Sequence, residues 1–320
     1  VGATIVLYDG NPFYPYDNSL LEIADSIDVS VFGTSAKYIS ALEQKNLKPN
    51  AQFPFQKLRT ILSTGSPLVE ENFEYVYDNW KNTVQLCSIS GGTDIISCFA
   101  LGNPIKPIKK GKLQSIGLGM SVKSFDKEGK HKIEEKGELV CTAPFPSMPI
   151  YFLNDPEKEK YKKAYFNDYL NIWKHGDYIS IYKDGMVKIF GRSDTTLNPG
   201  GVRIGTAEIY RVLDKINYIE DSVVIGYKHN QDEYVILFVK MNQKILNEEL
   251  IIEIKNIIKS NCSPRHVPYR IFEANDIPYT INGKKVELAV KNILEGKDVT
   301  NKDALSNPES LDFYKKIKIL

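Results

Sequence analysis

The chain has 320 residues, 42% of them hydrophobic, enough to bury a substantial core in two domains. Its 41 Lys and Arg against 40 Asp and Glu leave a formal net charge of +1, which argues against a dedicated nucleic-acid surface. No apolar run approaches the roughly 18 residues needed to span a bilayer, and the four cysteines (Cys87, Cys98, Cys141 and Cys262) lack CxxC spacing and read as buried free thiols in a reducing compartment, with disulfides as the alternative.

The opening VGATIVLYDG has neither an initiator methionine nor a signal-peptide pattern, so the chain reads as a fragment and the cytosol is the favoured location. IVLYDG (5–10) is strand-like, SLLEIADS (19–26) has helical spacing, and VSVF (29–32) is strand-like again. LRTILSTG (58–65) and VQLCSIS (84–90) are further strands, separated by VEENFEYVYDNW (69–80). This alternation predicts a parallel sheet with helical crossovers, whose ligands gather where the strands end. After Lys110 the rhythm becomes β-rich with glycine turns, and KDG (183–185) between two alternating runs is a hairpin signal.

Beyond Gly191 a compact α+β unit is predicted. A helix over 206–216, capped by Thr206, buries Ile209, Val212, Leu213 and Ile216. Strands follow at 221–226 and 233–240. A helix starting near Asn247 buries Leu250, Ile251, Ile254, Ile257 and Ile258, and a last one over about 285–295 stops at Gly296. The domain boundary is placed at 191–194.

Five polar stretches carry candidate chemistry, each with a structural alternative: a plain turn, a surface lysine or, for 191–211, a salt-bridged interdomain connector. In STGSP (63–67) small residues after a strand let a flat ligand approach the backbone. In SISGGTDI (88–95) Thr93 can bond a phosphate and Asp94 can hold a Mg²⁺ on that phosphate. WKHGD (173–177) offers Asp177, whose two oxygens suit the two hydroxyls of a ribose, while His175 has no partner at zinc-ligand spacing. In GRSDTTLNPGGVRIGTAEIYR (191–211) Arg192 and Arg203 flank a glycine turn and can converge on one anion. Lys284 sits in a glycine turn ahead of the last helix.

In this order the pieces resemble the carboxyl-terminal half of an adenylate-forming enzyme, the superfamily of acyl-CoA synthetases, luciferases and peptide-synthetase adenylation domains. GATIVLYDGNP, SISGGTDI, GLGM, GELVCTAPFPSMP, AYF, WKHGD, the 191–211 stretch and the tail ALSNPESLDFY resemble its acetoacetate-activating branch in particular. The resemblance implies an α/β fold. An incomplete large AMP-binding domain (1–191), a parallel sheet with helices plus a β-rich subdomain, precedes a hinge (192–194), a small mobile α+β domain (195–300) and a tail (301–320). It also implies an acid–thiol ligase that joins acetoacetate to coenzyme A through an acyl-adenylate, with ATP and Mg²⁺, releasing AMP and pyrophosphate. Acetate or propionate as the acid, or a non-catalytic remnant, are the alternatives.

By the same resemblance Gly65, Ser66 and Pro67 line the adenine pocket, Thr93 contacts the α-phosphate and Asp94 is associated with Mg²⁺. Asp177 holds the ribose with Arg192 beside it, Arg203 approaches phosphate, and Asp194 is the hinge. Lys284 stabilises adenylation, and Gly201 belongs to the loop facing the pantetheine tunnel. Two features depart from the superfamily. Ser90 and Gly91 stand where many members stack an aromatic residue on adenine, and Asn282 replaces a common serine before Gly283. The superfamily's phosphate-gripping loop is not found in the sequence, so the 320 residues alone are expected to be inactive and poorly soluble. The sequence leaves the oligomeric state open.

Overall fold

The structure is a computed structural model describing residues 2–193, 197, 199, 204–229, 232–281, 283–299 and 302–319. The chain divides into two compact units, Val1–Thr93 with Ser97–Gly117, and Asp94–Ile96 with Leu118–Leu320.

The first unit alternates helix and strand as its periodicity predicts. Helix α1 (Ser19–Ser26), strand β1 (Val31–Ser35), α2 (Ala36–Gln44), β2 (Thr60–Thr64), α3 (Glu70–Asn79) and β3 (Gln85–Ser88) follow in order. The three strands form a parallel sheet, β1-β2-β3, with Ser35 level with Thr64 and Ser63 level with Ser88. All three therefore end at one edge. Trp80, 1% exposed, anchors the core, with Phe32 edge-on at 5.3 Å and Phe55 at 6.1 Å. Ser35 caps α2 by accepting from the Tyr38 amide. An antiparallel sheet of β4 (Ser90–Gly92), β5 (Ser97–Leu101) and β6 (Ser115–Ile116) completes the unit.

One expected strand is absent. Residues 2–9 form no regular element, and Ile5 and Leu7 stand 80% and 88% exposed. A strand exists only where a neighbour takes its backbone hydrogen bonds, and among the described residues none pairs with this segment.

Among its described residues the second unit holds two sheets. Strands β7 (Val122–Phe125) and β8 (Gly137–Cys141), helix α4 (Glu159–Tyr165), and strands β9 (Trp173–Ile181) and β10 (Val187–Arg192) give a four-stranded antiparallel sheet, ordered β10-β9-β8-β7. The β9–β10 hairpin turns at Asp184 and Gly185 (φ +78°), where the sequence signals it. Helix α5 (Thr206–Leu213), strands β11 (Ile219–His229) and β12 (Asp232–Met241), α6 (Glu248–Asn261), β13 (Arg270–Glu273), α7 (Glu287–Leu294) and α8 (Leu311–Tyr314) follow. Here β11 and β12 are antiparallel and β12 and β13 parallel.

Side chains alternate across this second sheet as a strand's period of two requires. Val224, Leu237 and Val239 pack with Leu213, Ile254 and Ile258 of α5 and α6. Val223, Ile225 and Phe238 pack on the other face with Val290 of α7 and with Tyr314 and Ile319 near the end of the chain. Asn247 caps α6 through a bond from the Leu250 amide. At α5, however, the cap is Gly205 and not Thr206; Glu208 accepts from the Gly205 amide at 3.2 Å, so Thr206 is already helical. The helix also stops at Leu213, leaving Ile216 buried in the turn beyond it. Among the described residues no helix is long and apolar enough to cross a membrane, and the four cysteines form no disulfide.

Candidate active site

Of the predicted site residues, Asp177 and Arg192 are the pair the fold brings together most tightly. They lie opposite each other on β9 and β10, just past a bulge between Ile189 and Gly191. A bulge adds a residue to one strand and re-aims the side chains beyond it. Arg192 Nη1 lies 3.5 Å from Asp177 Oδ1 and donates to the His175 carbonyl at 3.2 Å. His175 Nε2 is 3.8 Å from Asp177 Oδ2.

Gly176 makes this packing possible. It sits at φ +85°, and a Cβ there would stand 2.9 Å from Arg192 Nη2. Its carbonyl accepts the Ser193 amide at 2.7 Å, which fixes the chain leaving β10. Asp177 is only 8% exposed, whereas the Arg192 side chain is 47% exposed. The carboxylate is thus held by its surroundings, and the cation beside it faces solvent.

Residues sequence reasoning did not assign surround the pair. Ser193 donates to buried Glu138 at 2.8 Å; burial pushes the Glu138 carboxyl above its usual range while that bond and Lys174 pull it back. Tyr165, at the end of α4, stacks on buried Trp173 with centroids 3.6 Å apart and planes 14° apart. Its hydroxyl donates to Asp94 Oδ2 at 2.6 Å. Burial first, and Asp94 second, raise the Tyr165 pKa, so the hydroxyl remains a donor. A cleft of about 190 Å³ opens here, lined by Tyr165, Asp168, Lys174, His175, Gly176 and Arg192. The AYF and WKHGD runs held the sequence signal for Tyr165 and Trp173, but only their packing reveals a role.

The remaining predicted residues are distributed. Gly65, Ser66 and Pro67 form the loop at the carboxyl end of β2, with Gly65 at φ +90°. Thr93 and Asp94 occupy the exposed turn between β4 and β5. Gly91 serves a steric purpose in that hairpin: a Cβ would come within 2.0 Å of the Ser97 carbonyl oxygen. Lys284 is exposed on a separate hairpin and, among the described residues, has no contact with Asp177, Arg192 or Asp94. Asp194, Gly201 and Arg203 lie outside the described residues.

Asp94 offers one carboxylate oxygen held by Tyr165 and another without a partner among the described residues. No group of three metal-ligating side chains occurs among the described residues. That donor set suits Mg²⁺, which is commonly bound by one or two carboxylates with the rest supplied by phosphate and water.

No model of a protein family matches the chain. Acetoacetyl-coenzyme A synthetase of Rhizobium meliloti (strain 1021) is 51% identical over 315 residues, 98% of this chain and 48% of that protein. Acetoacetyl-CoA synthetase of Gallus gallus is 49% identical over 319 residues, 99% of this chain and again 48% of the other. The solved acetoacetyl-CoA synthetase from Streptomyces lividans superposes with a TM-score of 0.90 at 38% identity, covering 98% of this chain and 49% of that one. In sequence and in fold the chain is similar to these acetoacetyl-CoA synthetases, and it spans about half the length of the curated relatives it matches.

Proposed function

We propose that the chain forms part of an ATP-dependent ligase that joins acetoacetate to coenzyme A. Acetoacetate oxygen attacks the α-phosphorus of ATP and pyrophosphate leaves. The thiol of coenzyme A then attacks the acyl carbon, and AMP leaves. The observation that carries this reading is the half-buried Asp177–Arg192 pair in a chain so similar to proteins of that name. A fixed carboxylate with two acceptor oxygens matches two vicinal ribose hydroxyls, and a guanidinium beside it matches phosphate.

In this reading the Gly65–Pro67 loop borders adenine, and Thr93 donates to the α-phosphate. Asp94, oriented by Tyr165, would hold Mg²⁺, which when bound neutralises charge on the phosphates. Asp177 fixes the ribose, and Arg192 and Arg203 lie near phosphate. Lys284 stabilises the charge that develops during adenylation, and Gly201 borders the path of the thiol. Asp194 is the pivot between a large domain ending at 191 and a small one over 195–300, with 301–320 as a tail. The reaction needs no membrane, and the cytosol is its proposed location.

Acid-dependent exchange of pyrophosphate into ATP tests this in the protein expressed from its full reading frame. Exchange should be supported by acetoacetate well above acetate and propionate. Asp177→Ala should lower it by on the order of a hundredfold, the usual scale for losing a fixed electrostatic partner of the reaction. A preference for acetate would reassign the acid; no exchange with any short acid would overturn the ligase reading.

A further inference from the structure

The hairpin that carries Lys284 is not held by its own strands alone. Residues 277–281 run out and 284–286 return. Tyr279 bridges Lys285, the Thr280 amide donates to the Lys284 carbonyl at 2.8 Å, and the Lys284 amide donates to Thr280 Oγ1 at 3.1 Å. Gly283, at φ +71°, makes the turn. Such a short two-stranded element is marginal by itself.

Its outer edge is occupied by the last part of the chain. Thr280 bridges Leu305 in antiparallel fashion, the Ile281 amide donates to the Ala304 carbonyl at 2.9 Å, and the Ser306 amide donates to the Tyr279 carbonyl at 2.9 Å. Asn307 closes the ladder with its side chain. Its Oδ1 accepts the Tyr279 amide at 2.9 Å, while its Nδ2 donates to the Ile277 carbonyl at 2.9 Å and to Asp276. Leu305 is buried. Beyond it, Tyr314 is 1% exposed and donates to the Asp276 carbonyl at 3.0 Å, and Ile319 packs in the same core.

We propose that residues 304–307 are a strap that sets the position of Lys284, with Asn307 as its principal positioning residue. The inference rests on the role proposed for Lys284, but the strap itself is a matter of local structure. The bonds fall on the outgoing strand and at Asp276 just before it, three to eight residues from Lys284, and together they remove freedom from the turn that presents the ammonium. Lys285 anchors the opposite side, 2.9 Å from Asp221 Oδ1 and donating to the Ser222 carbonyl at 2.6 Å. Lys284 is thus the exposed tip of a three-stranded patch whose third strand comes from the tail.

Two measurements on Asn307→Ala and Ile319→Ala test the strap and keep its failure distinct from that of the Lys284 reading. Ile319→Ala loosens the same core without touching the ladder. In the full-length protein, Asn307→Ala should speed amide hydrogen exchange at Thr280, Gly283 and Lys284 by on the order of tenfold beyond Ile319→Ala, as expected from losing about two hydrogen bonds of local protection. Equal exchange in the two variants would overturn the strap, whatever Lys284 does. In the full-length protein, Asn307→Ala should slow acetoacetate-dependent pyrophosphate exchange by about tenfold, with thioester formation from supplied acetoacetyl-adenylate unchanged. Loss of both half-reactions together would reduce Asn307 to a residue that holds the fold and overturn its positioning role. If Lys284→Ala leaves exchange intact while the amides respond to Asn307→Ala, the catalytic reading of Lys284 falls and the strap stands as structure only.

Discussion

At Gly176 one missing methyl group decides how Arg192 meets Asp177. The backbone there is left-handed, at φ +85°, and the space a Cβ would take is filled by Arg192 Nη2 at 2.9 Å. Two separate costs therefore meet in Gly176→Ala: the dihedral, about 1–2 kcal/mol for a non-glycine residue, and displacement of the guanidinium. Urea unfolding should show a loss of that order or more. In an Arg192→Ala background only the dihedral part should remain, because the clash has been removed. Equal costs in both backgrounds would show that Arg192 moves aside freely and that Gly176 is there for its dihedral alone. By contrast Gly65, whose added Cβ would come no nearer than 3.9 Å to Ser35, is required only by its φ of +90°. The same residue type thus serves two physical ends, and a sequence displays only the glycine.

Helix α5 shows how an element is fixed by partners distant in sequence. Glu208 in its first turn accepts from the Gly205 amide and from His266 Nε2 at 3.1 Å, with Lys136 3.8 Å away. The His266 bond is the largest cause that holds the Glu208 carboxyl down to about 2, from an ordinary 4.5. The folded value lies below the unfolded one, so the ionised carboxylate stabilises the fold fully above pH 4.5 and loses that contribution as the pH falls towards 2. The pH dependence of urea unfolding across that window should flatten in Glu208→Gln. An unchanged slope would assign the acid sensitivity to other carboxylates. Periodicity made this helix legible, along with α1, α3 and α6, because a buried stripe repeats within the element itself. It did not reveal that Gly205 is the cap, since that depends on Glu208 folding back. Nor could it reveal that 5–10 lacks a partner strand, since pairing is settled by the neighbour and not by the segment. The candidate site divides the same way. Asp177 and Arg192 are legible as residue types around a glycine and a turn, while Tyr165 gains its meaning only when α4 lays its ring on Trp173 and its hydroxyl on Asp94.

For the molecule as a whole, the proposed reaction makes two demands. Adenylation requires a cation near the α-phosphate as charge builds there; thioester formation requires a clear path for the thiol to the same acyl carbon. Among the described residues Lys284 is exposed on its own hairpin and makes no contact with Asp177 or Arg192, so in this arrangement it does not serve a site built on that pair. In the proposed reading, a small domain that turns about Asp194 would bring Lys284 to the nucleotide for the first step and the 199–201 segment to it for the second, as domain and lid motions gate steps in many enzymes. The consequence is separable. In the full-length protein Lys284→Ala should lower acetoacetate-dependent pyrophosphate exchange by on the order of a hundredfold or more, the scale for a fixed transition-state donor. The same variant should convert supplied acetoacetyl-adenylate and coenzyme A to thioester at close to the parent rate, because in the proposed second pose the lysine is turned away. Both half-reactions must be measured, since the overall rate alone cannot tell a lost cation from an unfolded domain. Equal loss in the two would mean that Lys284 is needed in both arrangements, and the division of labour between two poses would have to be abandoned.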